Sequence, residues 1–203
     1  MSLNIDPWSF PGPEHTSAET GERSVVLGGG CFWCTEAVYK ELDGVLRVRP
    51  GYAGDAQHLA DYRTVCSGQT RHAEVIEVVY DAGRIDLGQI LKVFFAIAHD
   101  PTQKDRQGHD IGPQYRSVIF YGDDEQKQVA DQYIAQLERI GAFSRPIVTE
   151  LSPLPAFYEA ESYHHDYAAL NPGQPYIRAV SMPKVQKLRA VYADKLKRPD
   201  AAE

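Results

Sequence analysis

The chemistry of this chain concentrates in one short stretch, Gly28-Gly29-Gly30-Cys31-Phe32-Trp33-Cys34. An apolar run over 24–27 leads into it. Beyond it Phe32, Trp33, Ala37, Val38 and Leu42 recur at helical spacing until Asp43-Gly44 ends the pattern, so the sequence predicts a strand, a tight turn and a helix. A cysteine at a helix N-terminus meets unsatisfied backbone N–H groups and the positive end of the helix dipole, both of which favour thiolate. Cys31 is thereby expected to be an exposed nucleophile, with the glycines leaving room for a substrate to approach the sulfur. Cys34 follows three residues later on the same helix face. The two Cβ atoms would stand roughly 5–6 Å apart in regular geometry, whereas a disulfide needs about 3.5–4.5 Å. A bridge between them is therefore expected to distort the first turn and to be readily reduced, as turnover requires.

Other chemistries fit these residues less well. The glycines lack the Gly-Lys-Ser/Thr ending of a phosphate-binding loop and the spacing of a dinucleotide fingerprint. A zinc site would need a second ligand pair, and Cys66 with His72 make a poor one, so neither a metal nor another cofactor is expected. Phe32 and Trp33 read as core aromatics or as an apolar wall beside the thiol.

The remaining sequence supplies the frame. With 203 residues, 43% apolar and 24% charged, the chain has the composition of one globular domain. Its net charge of −7 and the lack of a basic stripe exclude a nucleic-acid footprint. No stretch approaches the roughly 20 apolar residues of a membrane span. No cationic start precedes an apolar run, and three cysteines, two of them in a Cys-x-x-Cys, suit a reducing cytoplasm. Residues 1–22 carry Pro7, Pro11 and Pro13 without periodicity and are expected to form a flexible arm before a single catalytic domain over 23–203. Strands are predicted over 45–52, 73–80, 117–121 and 146–151. Helices are predicted over 86–98, 123–140, 159–170 and 184–197. The order β-α-β-β-α-β predicts an α+β fold: a mixed sheet covered by helices, a two-layer sandwich with a ferredoxin-like, split βαβ core.

Several blocks together carry a resemblance. Gly30-Cys31-Phe32-Trp33 with Glu36, Gly51-Tyr52-Ala53-Gly54, 62–68 as Tyr-Arg-Thr-Val-Cys-Ser-Gly, His72-Ala73-Glu74-Val75, His99-Asp100-Pro101-Thr102 and Gln114-Tyr115-Arg116-Ser117 occur in one order over roughly 24–170. In this the chain resembles the A-type peptide methionine sulfoxide reductases. The resemblance implies reduction of the S epimer of methionine sulfoxide, free or in proteins, with thioredoxin as electron donor, and the chain is expected to be a monomer. It implies Cys31 as nucleophile, Glu74 as the carboxylic acid, and Tyr62 and Tyr115 as donors to the sulfoxide oxygen. Asp110 would contact the substrate backbone, and Phe32 and Trp33 would pocket the S-methyl group. A sulfoxide oxygen must be protonated to leave, which is the physical need these residues would meet. The sulfenic acid left on Cys31 would be condensed to a disulfide by a second thiol, assigned to Cys34.

Two positions depart from the family pattern. Many relatives have Gly in place of Cys34 and resolve through C-terminal cysteines, but here no cysteine follows Cys66. Cys66 itself reads as a small buried residue. Arg71 replaces a common Gly, and a cation beside Glu74 would favour the carboxylate and oppose the acid role. Glu36 reads as a first-turn acid that complements the helix dipole. In the 163–167 block, His164 reads as a packing or hydrogen-bonding residue. Two alternatives stay open: a general Cys-x-x-Cys thiol-disulfide oxidoreductase, which would not need Glu74, Tyr62 and Tyr115, and a small redox- or metal-responsive binding module.

Overall fold

Alternation along the apolar runs sorts their side chains between the two faces of one sheet. The computed structural model describes residues 3–198. Its strands are β1 (Glu22–Gly29), β2 (Val45–Ala53), β3 (Ala73–Asp81), β4 (Arg106–Gln107), β5 (Asp110–Ile111), β6 (Ser117–Tyr121), β7 (Glu150–Pro153) and β8 (Tyr158–Glu159). Its helices are α1 (Phe32–Tyr39), α2 (Tyr62–Cys66), α3 (Leu87–Val93), α4 (Asp124–Arg139), α5 (Tyr167–Leu170) and α6 (Met182–Val191). Six strands make one sheet in the order β7-β6-β1-β3-β2-β8, antiparallel except for the β6–β7 pair. The central order β6-β1-β3-β2, with α1 leading from β1 to β2 and α3 lying between β3 and β6, is the expected split βαβ core. β4 and β5 form a separate two-stranded ribbon.

Residues two apart on a strand share a face. Ile76, Val78 and Tyr80 of β3 join the main core with Val38, Ile90, Phe94, Tyr133 and Leu188 from the helices. Val75 and Ala73 join a smaller cluster on the opposite face, covered by Leu154 and Phe157. Glu74 has the parity of Ile76 and so lies on the helix-covered side, level with the start of α1. Gly51 is required on β2, because a Cβ there would meet the Phe157 ring at 2.4 Å.

The structure departs from expectation in five places. The segment expected to be a loose arm is laid along α4. Phe10 is buried against Phe143, and Pro11 and Gly12 carbonyls accept from Tyr133 Oη at 2.5 Å and Gln136 Nε2 at 2.9 Å. The polar residues between its prolines hid these anchors, and residues 1–2 and 199–203 lie outside the described residues. The helix expected over 159–170 is mostly absent: Tyr158 and Glu159 pair with the edge of β2, and Asp166 at φ 56° delays the helix until Tyr167. The strand expected over 146–151 spans Glu150–Pro153, and the final α-helix spans Met182–Val191 after a π-turn over Ile177–Ser181. The helix after β3 keeps its expected length, but its second half, Phe94–Ala98, is a π-turn.

Candidate active site

Cys31 is the N-cap of α1, delivered by Gly30 at φ 90°, a conformation natural to glycine. A Cβ on Gly30 would stand 2.6 Å from Gln107, so this turn also lets the β4–β5 ribbon close over the site. Beneath it, His99 is buried with Nδ1 2.9 Å from the Phe94 carbonyl and Nε2 2.6 Å from Ser117 Oγ. Burial holds that imidazole neutral, its pKa pushed down to about 3.

The start of α1 is not spent on sulfur. Phe32 N–H donates to Glu74 Oε2 at 3.1 Å, and the Cys31 side chain caps nothing. Cys31 is buried rather than exposed, and burial pushes its thiol well up, with the hydrogen bond to Cys34 and the Glu74 charge acting in the same sense. The expected low Cys31 pKa is thus corrected: desolvation outweighs the dipole of an eight-residue helix. Cys34 moves the other way. It accepts a hydrogen bond from Cys31, which with the positive charge of Lys184 brings it down to about 7 despite its burial. One proton is therefore shared within the pair, on Cys31 with Cys34 as acceptor.

On one side of Cys31 stands a buried acid. Burial raises the Glu74 carboxyl to about 8 against the opposing pull of Phe32 N–H, so it is protonated at neutral pH. Cys66 Sγ lies 3.9 Å from Glu74 Oε1, and the Tyr62 and Tyr115 hydroxyls hydrogen-bond the Cys66 sulfur. Burial pushes both phenols up, keeping them as donors. Asp61 caps α2 through Thr64 N–H at 3.0 Å and so fixes Tyr62 and Cys66, one turn apart. Tyr115 ends a 3-10 turn clamped by Arg116, whose guanidinium donates to the Pro113 and Arg71 carbonyls at 3.0 and 2.9 Å. Arg71 is exposed, its backbone N–H donates to Asp55 Oδ2 at 2.8 Å, and its charge favours the Asp55 carboxylate, while the effects that set Glu74 are burial, Phe32 N–H, Asp110, Cys34 and Cys66.

An aromatic wall adjoins this cluster. The Phe32 ring lies 4.9 Å from the His164 ring and 5.8 Å from Tyr52. Trp33 stacks on Tyr167 at 3.9 Å and donates from Nε1 to His164 Nδ1 at 3.1 Å. Glu161 braces the same wall, accepting from Tyr52 Oη at 2.8 Å and Tyr62 N–H at 2.9 Å. On the other side of the thiols opens a cleft of about 610 Å³, lined by Cys31, Cys34, Gln107, Asp110, Tyr176 and Lys184 among others. There Tyr176 Oη donates to Asp110 Oδ2 at 2.5 Å and lies 3.8 Å from Cys34 Sγ. Among the described residues no cluster of three or more His, Cys, Asp or Glu is arranged to hold a metal ion.

A buried neutral carboxyl, two phenols and a thiol pair form a set built to protonate an oxygen beside sulfur. Comparison with known proteins agrees. The family model for peptide methionine sulfoxide reductase matches residues 23–196. The chain belongs to this family. Peptide methionine sulfoxide reductase MsrA 2 of Synechocystis is 48% identical over 192 residues, covering 95% of this chain and 89% of the relative. The enzyme of Saccharolobus solfataricus is 49% identical over 84% of this chain and 95% of its own. Among solved structures, Mxr1 from Saccharomyces cerevisiae in reduced form superposes with a TM-score of 0.69 at 32% identity, covering 79% of this chain and 92% of its own. Methionine sulfoxide reductase A of Corynebacterium diphtheriae superposes at 0.62, also at 32% identity, over 85% of this chain and 88% of its own.

In this reductase Cys31, Cys34, Phe32, Trp33, Glu74, Tyr62, Tyr115 and Asp110 converge around one N-terminal helix turn. Cys66, read from sequence as a small buried residue, is half-buried within the polar cluster instead. Glu36 is more than a first-turn acid: it is buried, accepts Asp166 N–H at 3.1 Å and ties the C-terminal segment to α1. His164 takes the hydrogen-bonding role. Sequence reasoning missed Glu161, Tyr176 and Lys184. The turn residues Asn171-Pro172-Gly173 before Tyr176 were the available signal that the chain doubles back over the site.

Proposed function

We propose that the chain reduces the S epimer of methionine sulfoxide, free or in proteins, through Cys31. The sulfoxide oxygen points at Glu74, Tyr62 and Tyr115, the methyl group rests on Phe32 and Trp33, and Asp110 receives the substrate backbone N–H. Cys31 attacks the sulfoxide sulfur while Cys34, already its hydrogen-bond acceptor, takes the thiol proton. Glu74 gives its proton to the oxygen, which ends on Cys31 as sulfenic acid, and the substrate leaves as methionine. Cys34 then displaces that oxygen as water and closes the Cys31–Cys34 disulfide. Thioredoxin returns both thiols, the enzyme working as a monomer in a reducing cytoplasm.

The observation that carries this reading is the buried Glu74 carboxyl beside Cys31, raised to about 8 and grouped with the Tyr62 and Tyr115 phenols, because a sulfoxide oxygen must be protonated to leave and disulfide exchange has no such oxygen. The test is single-turnover reduction of the separated sulfoxide epimers of N-acetyl-methionine amide without added reductant, with thiols counted before and after. The S epimer should be consumed once with loss of two thiols, and Cys31→Ser should abolish the reaction. Inertness toward both epimers, with reduction of a model disulfide, would transfer the assignment to a thiol-disulfide oxidoreductase.

A further inference from the structure

The mechanism leaves Cys34 with a problem. Having taken the Cys31 proton in the first step, it must lose that proton before attacking the Cys31 sulfur, since thiolate is the attacking form. The hydrogen bond from Cys31 that favoured the Cys34 thiolate is then gone. In an in-line displacement the leaving oxygen stands on the far side of the Cys31 sulfur, so the sulfenic O–H is turned away from Cys34. Tyr176 also favours the Cys34 thiolate, but it has one hydroxyl proton, and at 2.5 Å that proton is shared with Asp110.

What remains is a cation. Lys184 stands near the start of α6, which follows directly on the π-turn of Ile177–Ser181, and lines the 610 Å³ cleft together with both thiols. The other titratable groups in that cleft are Asp110, Tyr176 and the exposed His109. Asp110 and, from β3, Glu74 both oppose negative charge on the Cys31–Cys34 pair. Lys184 is the only Lys or Arg of the lining. We propose that Lys184 is a positioning charge for the second half-reaction, holding Cys34 as the thiolate that closes the Cys31–Cys34 disulfide. This rests on Cys34 being the resolving thiol. In the step, the Cys34–Cys31 S–S bond forms and the Cys31 S–O bond breaks. Cys34 is oxidised, the sulfenic sulfur is reduced, and the departing hydroxide takes up the proton released from Cys34 and leaves as water.

The test follows one turnover by rapid quench over a range of pH, measuring methionine formed and the second thiol lost as separate rate constants. In Lys184→Met the midpoint of the pH profile for disulfide formation should rise by about one unit, the usual effect of removing a nearby opposite charge. At the wild-type midpoint that is about a fivefold loss of rate, from one half thiolate to about one eleventh. Methionine formation also draws on the Cys34 thiolate, but there the hydrogen bond from Cys31 holds it as well, so its profile should move less than that of disulfide formation, and Lys184→Arg should restore both midpoints. An unmoved midpoint in Lys184→Met, or equal slowing of both steps with no rescue by Arg, would overturn the role of Lys184 alone. Loss of a single thiol in the wild-type enzyme would instead overturn the Cys34 assignment, and this inference with it.

Discussion

On one side of Cys31, Glu74, Tyr62, Cys66 and Tyr115 hang from a central strand, a capped helical turn and an Arg116-clamped turn. On the other, Cys34 faces Asp110 and Tyr176, carried by a two-residue ribbon strand and by the segment between α5 and α6. On the first side the acid is fully buried between half-buried neighbours, and its electrostatics follow from that burial. The second is an open cleft whose groups pair with one another. The division suits two steps that share one sulfur. Protonating a sulfoxide needs an acid kept neutral by desolvation, whereas disulfide closure and rereduction need a second thiol, a fixed charge and access for an outside reductant.

Glu74→Gln should break the comparison most severely. It should slow methionine formation by about 10²-fold or more, the usual worth of a general acid. Disulfide closure should change little when the sulfenic acid is made with peroxide instead. In the wild-type enzyme methionine formation should decline above about pH 8 as the carboxyl loses its proton, and the variant should lack that decline. Stability supplies an independent check. The folded pKa of about 8 lies above the ordinary 4.5, so this group's contribution is fully present below pH 4.5 and is lost as pH rises through 8. The Gln variant should therefore gain stability relative to wild type from pH 5 to 8, on the order of a few kcal/mol, read as a rising Tm difference. A constant Tm difference would mean that Glu74 is not the buried acid described.

Cys34→Ser should damage chiefly the other side, slowing the first step by loss of its proton acceptor without abolishing it. One equivalent of substrate should still be reduced, with one thiol lost. Turnover driven by thioredoxin should fall at least about tenfold, to the rate at which an outside thiol attacks Cys31. Full turnover in that variant would remove the functional distinction between the two sides.

The two sides were also unequally legible in the sequence. Glu74 is placed by strand parity, and Tyr62 and Cys66 by a capped turn, so short motifs carry most of that geometry. The cleft depends on contacts over long sequence separations: Tyr176 to Asp110, Asp166 to Glu36 and Trp33 to His164. The 159–181 segment is held by those contacts rather than by helical periodicity, and for that reason its predicted helix was wrong. Burial was the other hidden variable. The helix-terminal position of Cys31 is visible in the sequence, but the desolvation that reverses its pKa is a property of the packed site.

His164→Leu sharpens the boundary between wall and cleft. It removes the acceptor for Trp33 Nε1–H while keeping apolar bulk, and should lower kcat/KM for the sulfoxide about fivefold, the worth of one hydrogen bond near 1 kcal/mol. His164→Asn, which can still accept, should recover part of the loss. Equal kcat/KM in Leu and wild type would show that stacking on Tyr167 alone fixes the indole.

Cys66→Ala is expected to have the smallest effect, and it tests whether the first side is governed by burial or by its local hydrogen bonds. Its thiol faces Glu74 Oε1 at 3.9 Å and favours the charged carboxylate, against the much larger opposing effect of desolvation. Removing it should push the Glu74 pKa further up, carrying the alkaline limb of methionine formation upward by about half a unit. The maximum rate should change by less than about twofold, because Tyr62, Tyr115 and the acid all remain. A downward shift of the limb would mean that water admitted at the vacated sulfur position solvates the carboxylate more than the thiol did. The burial of the acid would then depend on Cys66 filling its place, and not on the aromatic wall.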